Sequence, residues 1–407
     1  MGHTNDKFCF SLHSKPVAQH SARENVVYKQ FMTTIAAGSI ELGTIPFNLY
    51  APDHKGRLVL FCKAGYPITE KHIGVLKNRD RGFYIGGDDY EAYLDYAHKR
   101  LDNIISDPEI RISDKANITH GIAKRTVRNL LDNPASAVSL QESERVVDTF
   151  RDLILFSTEA ASNLFSFSSL DPYTFSHSIN TSIFCLLLGE KLVGAEDEVL
   201  SLLGMGGLLL DIGKSKIDPR ILFKPAKLTD RELEQIRKHT IYGYEIVNEI
   251  GMPEPILAIC RSHHERLDGS GYPDGLKGDE IHPFARIAAI SDVYDALTSD
   301  RIYRKQSSHL HALTTIAKEI QAYDLEVFGA LLDIVLRNDQ LISTFCDQHI
   351  PRGFRQEVYE ASKRAASVKN GEELPDGGKI TAALLAIKQE GSSVPPPEKP
   401  AARPTQG

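Results

Sequence analysis

Six side chains able to bind a metal or move a proton are spread through the middle of this sequence: His177, Asp211, His239, the adjacent His263 and His264, and Asp292. Lys214 follows Asp211 within one helical turn, and a glycine-dense run, Asp268-Gly-Ser-Gly-Tyr-Pro-Asp-Gly275, follows the paired histidines. Neutral imidazole and carboxylate are the donors that iron, manganese, zinc, nickel or cobalt accept. Two such ions roughly 3.5 to 4 Å apart, bridged by a carboxylate and a hydroxide, form an apparatus for phosphodiester hydrolysis. Taken singly, each residue has a simpler account. A lone histidine on an apolar helix face is more often a hydrogen-bonded core residue, and a lone buried aspartate is more often a cap or an ion-pair partner. Four histidines and two aspartates converging from five helices are harder to explain as structure.

The elements that must position these groups read as helices. Asp171-Pro172 has the form of an N-cap with Pro at the first helical position, opening a helix through Lys191. On it His177 shares a face with Thr181, Phe184 and Leu188. The next helix, Glu196 to Leu210, is strongly apolar and ends on Asp211, an anion that burial would penalise unless it is paired, protonated or metal-bound. Gly204-Met-Gly-Gly207 inside that helix reads as close helix packing, since it lacks the context of a phosphate loop. Thr229-Asp-Arg-Glu232 is a capping box before a helix whose Ile236, His239, Gly243, Ile246 and Ile250 form one stripe. A helix from Pro255 carries Ile256, Ile259, Cys260, His263 and His264 around one side, then breaks into the glycine-dense loop, which can bring backbone amides close to an anion. Pro283 to Leu297 sets Asp292 among Ala285, Ala288, Ala289 and Ala296, leaving room beside the carboxylate. Asp295 faces partly away and suits a supporting role; His282 reads as a loop residue, and His309 and His311 as surface.

His177-Ser, Asp211-Ile-Gly-Lys214, His239 with Gly243, His263-His-Glu-Arg-Leu-Asp-Gly-Ser-Gly-Tyr-Pro273, Ser291-Asp-Val-Tyr-Asp-Ala-Leu297 and Arg301-Ile-Tyr-Arg304 together resemble the HD-GYP family of the HD phosphohydrolase superfamily. The likeness spans about residues 150 to 345. It implies a metal-dependent phosphodiesterase that hydrolyses the bacterial second messenger cyclic di-GMP through a metal-activated hydroxide, with iron, manganese or a similar ion as cofactor. By resemblance, His239, His263 and His264 hold one metal, Asp211 bridges, and His177, Asp211 and Asp292 hold a second. Asp211 and Lys214 are the catalytic candidates. Lys214, the Gly271-Tyr272-Pro273 loop, Arg301 and Arg304 are the nucleotide-binding ones. The sequence departs from the family where Leu210 stands in place of the histidine of the His-Asp pair, and Tyr173 in place of a glutamate that some members offer a third metal. Loss of a supporting partner typically costs about 10- to 100-fold in metal affinity or activity, and a lost direct ligand should be no milder. Two readings therefore stand: a working phosphodiesterase weakened by Leu210, or a degenerate domain that binds cyclic di-GMP or a related nucleotide and signals to a partner protein.

The chain has 407 residues, 42% apolar and 25% charged, which suits a globular protein of two or three domains and excludes a disordered or fibrous one. A net charge of −7 gives no general attraction to a nucleic-acid polymer or an anionic membrane. Its longest uncharged apolar stretch, Val199 to Leu210, is well short of the roughly 20 residues that span a bilayer. Five scattered cysteines without a CxxC pair point to a reducing cytoplasm, with Cys185 and Cys260 as small buried hydrophobes. The expected fold is a mainly α-helical HD-type bundle with a small N-terminal α/β module. Its parts are a polar leader (1–28), the module as a sensory or docking unit (29–135), a connecting helix (136–170), the HD-GYP domain (171–347), further helices (348–390) and a Pro-rich tail (391–407). In the module, Pro46–Tyr50, Leu58–Cys62 and Phe83–Ile85 read as strands, with a turn at Asp53–Gly56 and a helix over Thr69–Lys77. Asp88–Ile105 and Ser139–Phe165 read as long helices, and the connecting helix makes a homodimer an expectation as well.

Overall fold

A computed structural model describes residues 32–76, 82–167, 174–299 and 307–368, together with residues 380 and 384. The leader, the Asp171-Pro172 cap, Tyr173, Arg301, Arg304 and the Pro-rich tail lie outside the described residues. The chain divides into two compact units, Met1–Tyr96 and Ala97–Gly407.

The first unit contains β1 (Met32–Ile35), β2 (Gly43–Thr44), β3 (Leu49–Pro52), β4 (Leu58–Cys62), β5 (Pro67–Ile68), α1 (Glu70–Leu76) and β6 (Phe83–Gly86), and runs into α2 (Tyr90–His98). Four strands form an antiparallel sheet in the order β1-β6-β3-β4. The β3–β4 turn is tied by Asp53, whose Oδ1 accepts from the backbone N–H of Lys55 and Arg57, while Gly56 takes φ 75°. Alternation along β3 and β6 buries Leu49, Ala51, Phe83 and Ile85, and Phe47 receives the rings of Tyr93 and Tyr96 edge-on at 5.6 and 5.5 Å.

The second unit is helical: α3 (Leu101–Ser106), α4 (Ile112–Asp132), α5 (Ala137–Phe156), α6 (Thr158–Phe167), α7 (Thr174–Val193), α8 (Asp197–Leu209), α9 (Pro219–Leu222), α10 (Asp230–Arg237), α11 (His239–Glu249), α12 (Glu254–Ser262), α13 (Pro283–Thr298), α14 (His309–Lys318), α15 (Leu325–Leu336), α16 (Asp339–His349) and α17 (Arg355–Ser367). Several boundaries differ from the sequence pattern. Asp88–Ile105 is two helices, because Arg100 leaves helical geometry at φ −119°, ψ 12°. Ser139–Phe165 is also two, because Ser157 is extended and its hydroxyl caps the backbone N–H of Glu159 and Ala160. The compact first unit ends at Tyr96 rather than 135, since α4 packs on α5, α6 and α7. No free connector spans 136–170 among the described residues, because α5 packs on α7 and α8. α17 likewise closes on α15, where a Cβ at Gly329 would lie 2.5 Å from that of Ala361.

Glycines set how closely the helices around the site approach. A Cβ at Gly207 would lie 2.8 Å from the Cα of Ser182, and one at Gly206 2.2 Å from Ile259, so the Gly204–Gly207 stretch is a packing surface. Beyond α8 the chain makes a 3-10 turn, Ile212–Lys216, pressed onto the start of α11. There a Cβ at Gly213 would meet the carbonyl oxygen of His239 at 2.0 Å and the amide of Gly243 at 2.4 Å. Both contacts are backbone and cannot swing aside. Gly213→Ala should therefore lower stability by about 1–3 kcal/mol, read as a lower urea midpoint with unchanged slope; an unaltered midpoint would show that the turn is not so seated.

Candidate metal centre and active site

α11 begins at His239, whose Nδ1 lies 2.7 Å from the carbonyl of Ile236. His263 closes α12, with its Nδ1 2.9 Å from the carbonyl of Ile259. A carbonyl accepts only from N–H, so each Nδ1 carries the proton and each neutral ring presents a bare Nε2. Those two Nε2 atoms face one another at 3.3 Å. Asp211, at the head of the 3-10 turn, sets Oδ1 3.3 Å from His239 Nε2, and this buried oxygen has no hydrogen-bond partner. His264 completes the group: His239, His263 and His264 each offer a nitrogen within 4.8 Å of the others. Lone pairs and an anion converging without a shared proton repel one another, and a cation relieves that repulsion. The donor set fits a divalent transition metal.

A second cluster adjoins the first. His177 on α7 directs Nε2 to Asp292 Oδ1 of α13 at 2.9 Å and lies 3.7 Å from Asp211 Oδ2. Its Nδ1 is 2.6 Å from Asp295 Oδ2, and the other Asp295 oxygen accepts from Asn180 Nδ2 at 2.9 Å and Ser299 Oγ at 2.7 Å. Asp295 thus orients the ring of His177, the support that metal-ligating histidines usually receive. Lys214 donates from Nζ to Asp211 Oδ2. Leu210 is fully buried and contributes no donor beside these groups.

The charges follow from burial and neighbours. Burial pushes His239 down to about 4 and depresses His263 and His264 as well, keeping the trio neutral near pH 7. For Asp211 burial opposes ionisation, but Lys214, His239, His177 and His263 outweigh it and hold the carboxyl well below the usual range. Asp292 is held down in the same way, with His177 as the main counterweight to burial. His177 behaves oppositely: burial disfavours its charge, yet Asp292 and Asp295 overcome this and raise it to about 9.

The loop after His264 is built onto the metal-side helix by Glu265. Its buried carboxylate accepts from the backbone N–H of Asp274 at 2.7 Å, Gly275 at 3.1 Å and Leu276 at 3.1 Å. Gly271 passes so close that a Cβ would lie 2.4 Å from the Cα of Glu265. Tyr272, beside Pro273, stacks on His264 at 4.7 Å between centroids and 26° between planes. In the sequence, only the position of Glu265 directly after two adjacent histidines signals such a role. His282 is the N-cap of α13, accepting from Phe284 N–H, and pairs with Glu254 at 3.2 Å. His309 is half-buried against Tyr294, with 2.8 Å from its Nδ1 to the phenol oxygen, and is not the surface residue expected. His311 is exposed.

Residues 181–327 match the family model described as HD domain. A cyclic di-GMP phosphodiesterase of Pseudomonas aeruginosa is 34% identical over 49% of this chain and 48% of its own length. The response regulator RpfG of Xanthomonas campestris, also named a cyclic di-GMP phosphodiesterase, is 37% identical over 39% of this chain and 43% of its own. A 3'3'-cGAMP-specific phosphodiesterase of Vibrio cholerae is 34% identical over 39% and 35%. Residues 181–327 of the helical unit thus match an HD domain. That HD domain encloses Asp211, His239, His263, His264 and Asp292, while His177 lies just upstream of the matched span. Alignment with these relatives takes in half of their length or less. A solved structure of Bd1817 from Bdellovibrio bacteriovorus, described as an HDG"Y"P protein, shares the fold with a TM-score of 0.52 and 20% identity, over 75% of this chain and all of the other.

The opposed shifts predict a bell-shaped stability profile for the metal-stripped protein. His177 is raised in the fold, so its contribution is complete below about pH 6.5 and is lost as pH climbs through about 9. His239 is depressed, so its contribution is present above about pH 6.5 and is lost as pH falls towards about 4. Urea unfolding in chelator should show both limbs, and His177→Gln should flatten the alkaline one. An alkaline limb unchanged in that variant would contradict the assignment.

Proposed function

We propose that this chain is a metal-dependent phosphodiesterase that opens a cyclic dinucleotide, cyclic di-GMP in the first instance. The observation that carries this reading is the meeting of His239, His263 and His264 with the partnerless Oδ1 of Asp211. A divalent ion, iron or manganese, would be held by these four side chains and supply Lewis acidity and activated water. His177 and Asp292 sit where they would hold a second ion through Asp211 Oδ2. Water adds across one P–O bond of the ring, and the product is the linear dinucleotide. Lys214 stands beside Asp211 with an ammonium for a phosphate oxygen, and the Gly271-Tyr272-Pro273 loop lies against His264 to bound the nucleotide. Arg301 and Arg304 are the further phosphate ligands in this reading, since the planar guanidinium fork matches paired phosphate oxygens. The names of the relatives favour the same substrate class. A cytoplasmic setting agrees with four buried free cysteines, and no helix among the described residues is long and apolar enough to cross a membrane.

Leu210 favours a second reading, in which the domain binds the nucleotide and signals to a partner protein without turnover. Leu210 offers no nitrogen to the second cluster, whereas His239, His263 and His264 bring three nitrogens within 4.8 Å of one another.

Turnover of cyclic di-GMP with Mn²⁺ or with Fe²⁺ under anaerobic conditions decides between the two. The first reading expects linear product above a metal-free control and a loss of at least about 100-fold in His263→Ala. Binding without product supports the second; neither binding nor product removes both. Metal analysis after reconstitution should give about one ion per chain in the wild type and more in Leu210→His, with rate and occupancy rising together. An occupancy that does not change would show that Leu210 is not what limits the second cluster.

A further inference from the structure

The two oxygens of Asp211 meet opposite surroundings. Oδ1 is buried without a hydrogen-bond partner, 3.3 Å from His239 Nε2, and the Nε2 atoms of His239 and His263 face each other at 3.3 Å. A cation entering on this side breaks no existing bond. Oδ2 already accepts from Lys214 Nζ. His177 Nε2 lies 3.7 Å from Oδ2 but only 2.9 Å from Asp292 Oδ1, a hydrogen-bond distance. Bonds from a transition metal to nitrogen or oxygen are about 2.0–2.2 Å long. A second ion bound through Oδ2, His177 and Asp292 must therefore displace the ammonium and part the His177–Asp292 pair. Leu210, fully buried and next to Asp211 in the chain, offers no donor in return. The residues present fit one ion, not two.

The backbone fixes the ammonium where it stands. Asp211 opens the 3-10 turn Ile212–Lys216, and the N–H of Lys214 donates to the Asp211 carbonyl at 2.9 Å. In a 3-10 turn residues i and i+3 are eclipsed, which sets the Lys214 side chain over the Asp211 carboxylate. Gly213 holds the turn against the backbone of α11, so the pair cannot drift from the trio. The Lys214 side chain is 23% exposed and that of Asp211 7%, which places the ammonium between the buried carboxylate and the opening. An ammonium carries three donors. One is spent on Oδ2, and two remain for an oxygen arriving from solvent.

We propose that Lys214 stands in for the second metal ion. The centre takes one divalent ion, on the Oδ1 side with the three histidines, and the lysine supplies the second positive charge on the Oδ2 side. Two-metal sites use their paired charges to stabilise the attacking and the leaving oxygen of a phosphodiester. Here the ion and the ammonium divide that task. The proposal rests on the phosphodiesterase reading for what the second charge does, but not for how many ions are bound.

The full chain, stripped with chelator and titrated with Mn²⁺, provides the test through metal analysis and electron paramagnetic resonance. Wild type should stop at about one ion per chain, with the spectrum of an isolated Mn²⁺. Lys214→Met keeps the length of the side chain and removes its charge, freeing Oδ2. Its occupancy should rise towards two, with the signal of a spin-coupled pair. Its turnover of cyclic di-GMP should fall by about 10- to 100-fold at one ion per chain, and excess Mn²⁺ should restore most of that loss, while wild type gains nothing beyond its first ion. A coupled pair in the wild type overturns the proposal without need of a variant. So does a Lys214→Met protein that stays at one ion and is not rescued, since its lysine then serves the phosphate alone. Product from a two-ion wild type would remove the substitution and leave the phosphodiesterase standing. The expected occupancies without product from any sample would do the reverse.

Discussion

The fold depends on a repulsion that it is built to maintain. His239 and His263 give their Nδ1 protons to carbonyls of their own helices, and thereby point two bare Nε2 atoms at each other across 3.3 Å. The carboxylate oxygen of Asp211 joins them with no proton between. A buried polar atom left unmatched costs on the order of 1–3 kcal/mol, more when charged. Nothing in the packing of α8, α11 and α12 relieves that cost, and a cation does. The backbone bonds that fix the tautomers are therefore as much part of the ion site as the nitrogens that would touch the ion.

Holding repelling groups together requires a stiff surround, and the close approaches supply it. Gly213 and Gly243 let the turn bearing Asp211 sit on the backbone of α11, while Gly206 lets α8 close on Ile259 of the helix that ends at His263. Glu265 extends the same rigidity outward by gathering three loop amides on one buried carboxylate, each a charge-assisted bond. Through that loop Tyr272 is stacked on His264, which couples the loop to the metal trio.

The two halves of the centre are not equivalent. The trio side is complete in imidazoles, neutral, and open to a cation. The His177 side already contains its own internal charges: His177 lies between Asp292 and Asp295, and Lys214 neutralises Asp211 Oδ2. Leu210 is fully buried and offers no donor atom to either side.

By itself the sequence marked the candidate donors and most of the helical stretches around them, because capping residues and apolar stripes are local. But the one helix read after Thr229 is two, α10 ending at Arg237 and α11 starting at His239, and His263 caps α12 rather than lying on it, since the backbone breaks there without breaking the apolar period. Local pattern also placed β4, the Asp53–Gly56 turn and the packing role of Gly204–Gly207. It did not divide Asp88–Ile105 or Ser139–Phe165, since single breaks at Arg100 and Ser157 scarcely disturb a helical period. Nor did it assign α4 and α5 to the bundle, because which face of a helix finds a partner is a property of the packed chain. Only the tertiary structure decided that Asp295 orients His177 and that Glu265 holds the loop. Those pairings join residues far apart in sequence, where no spacing rule reaches, and distance in space alone sets which charges meet.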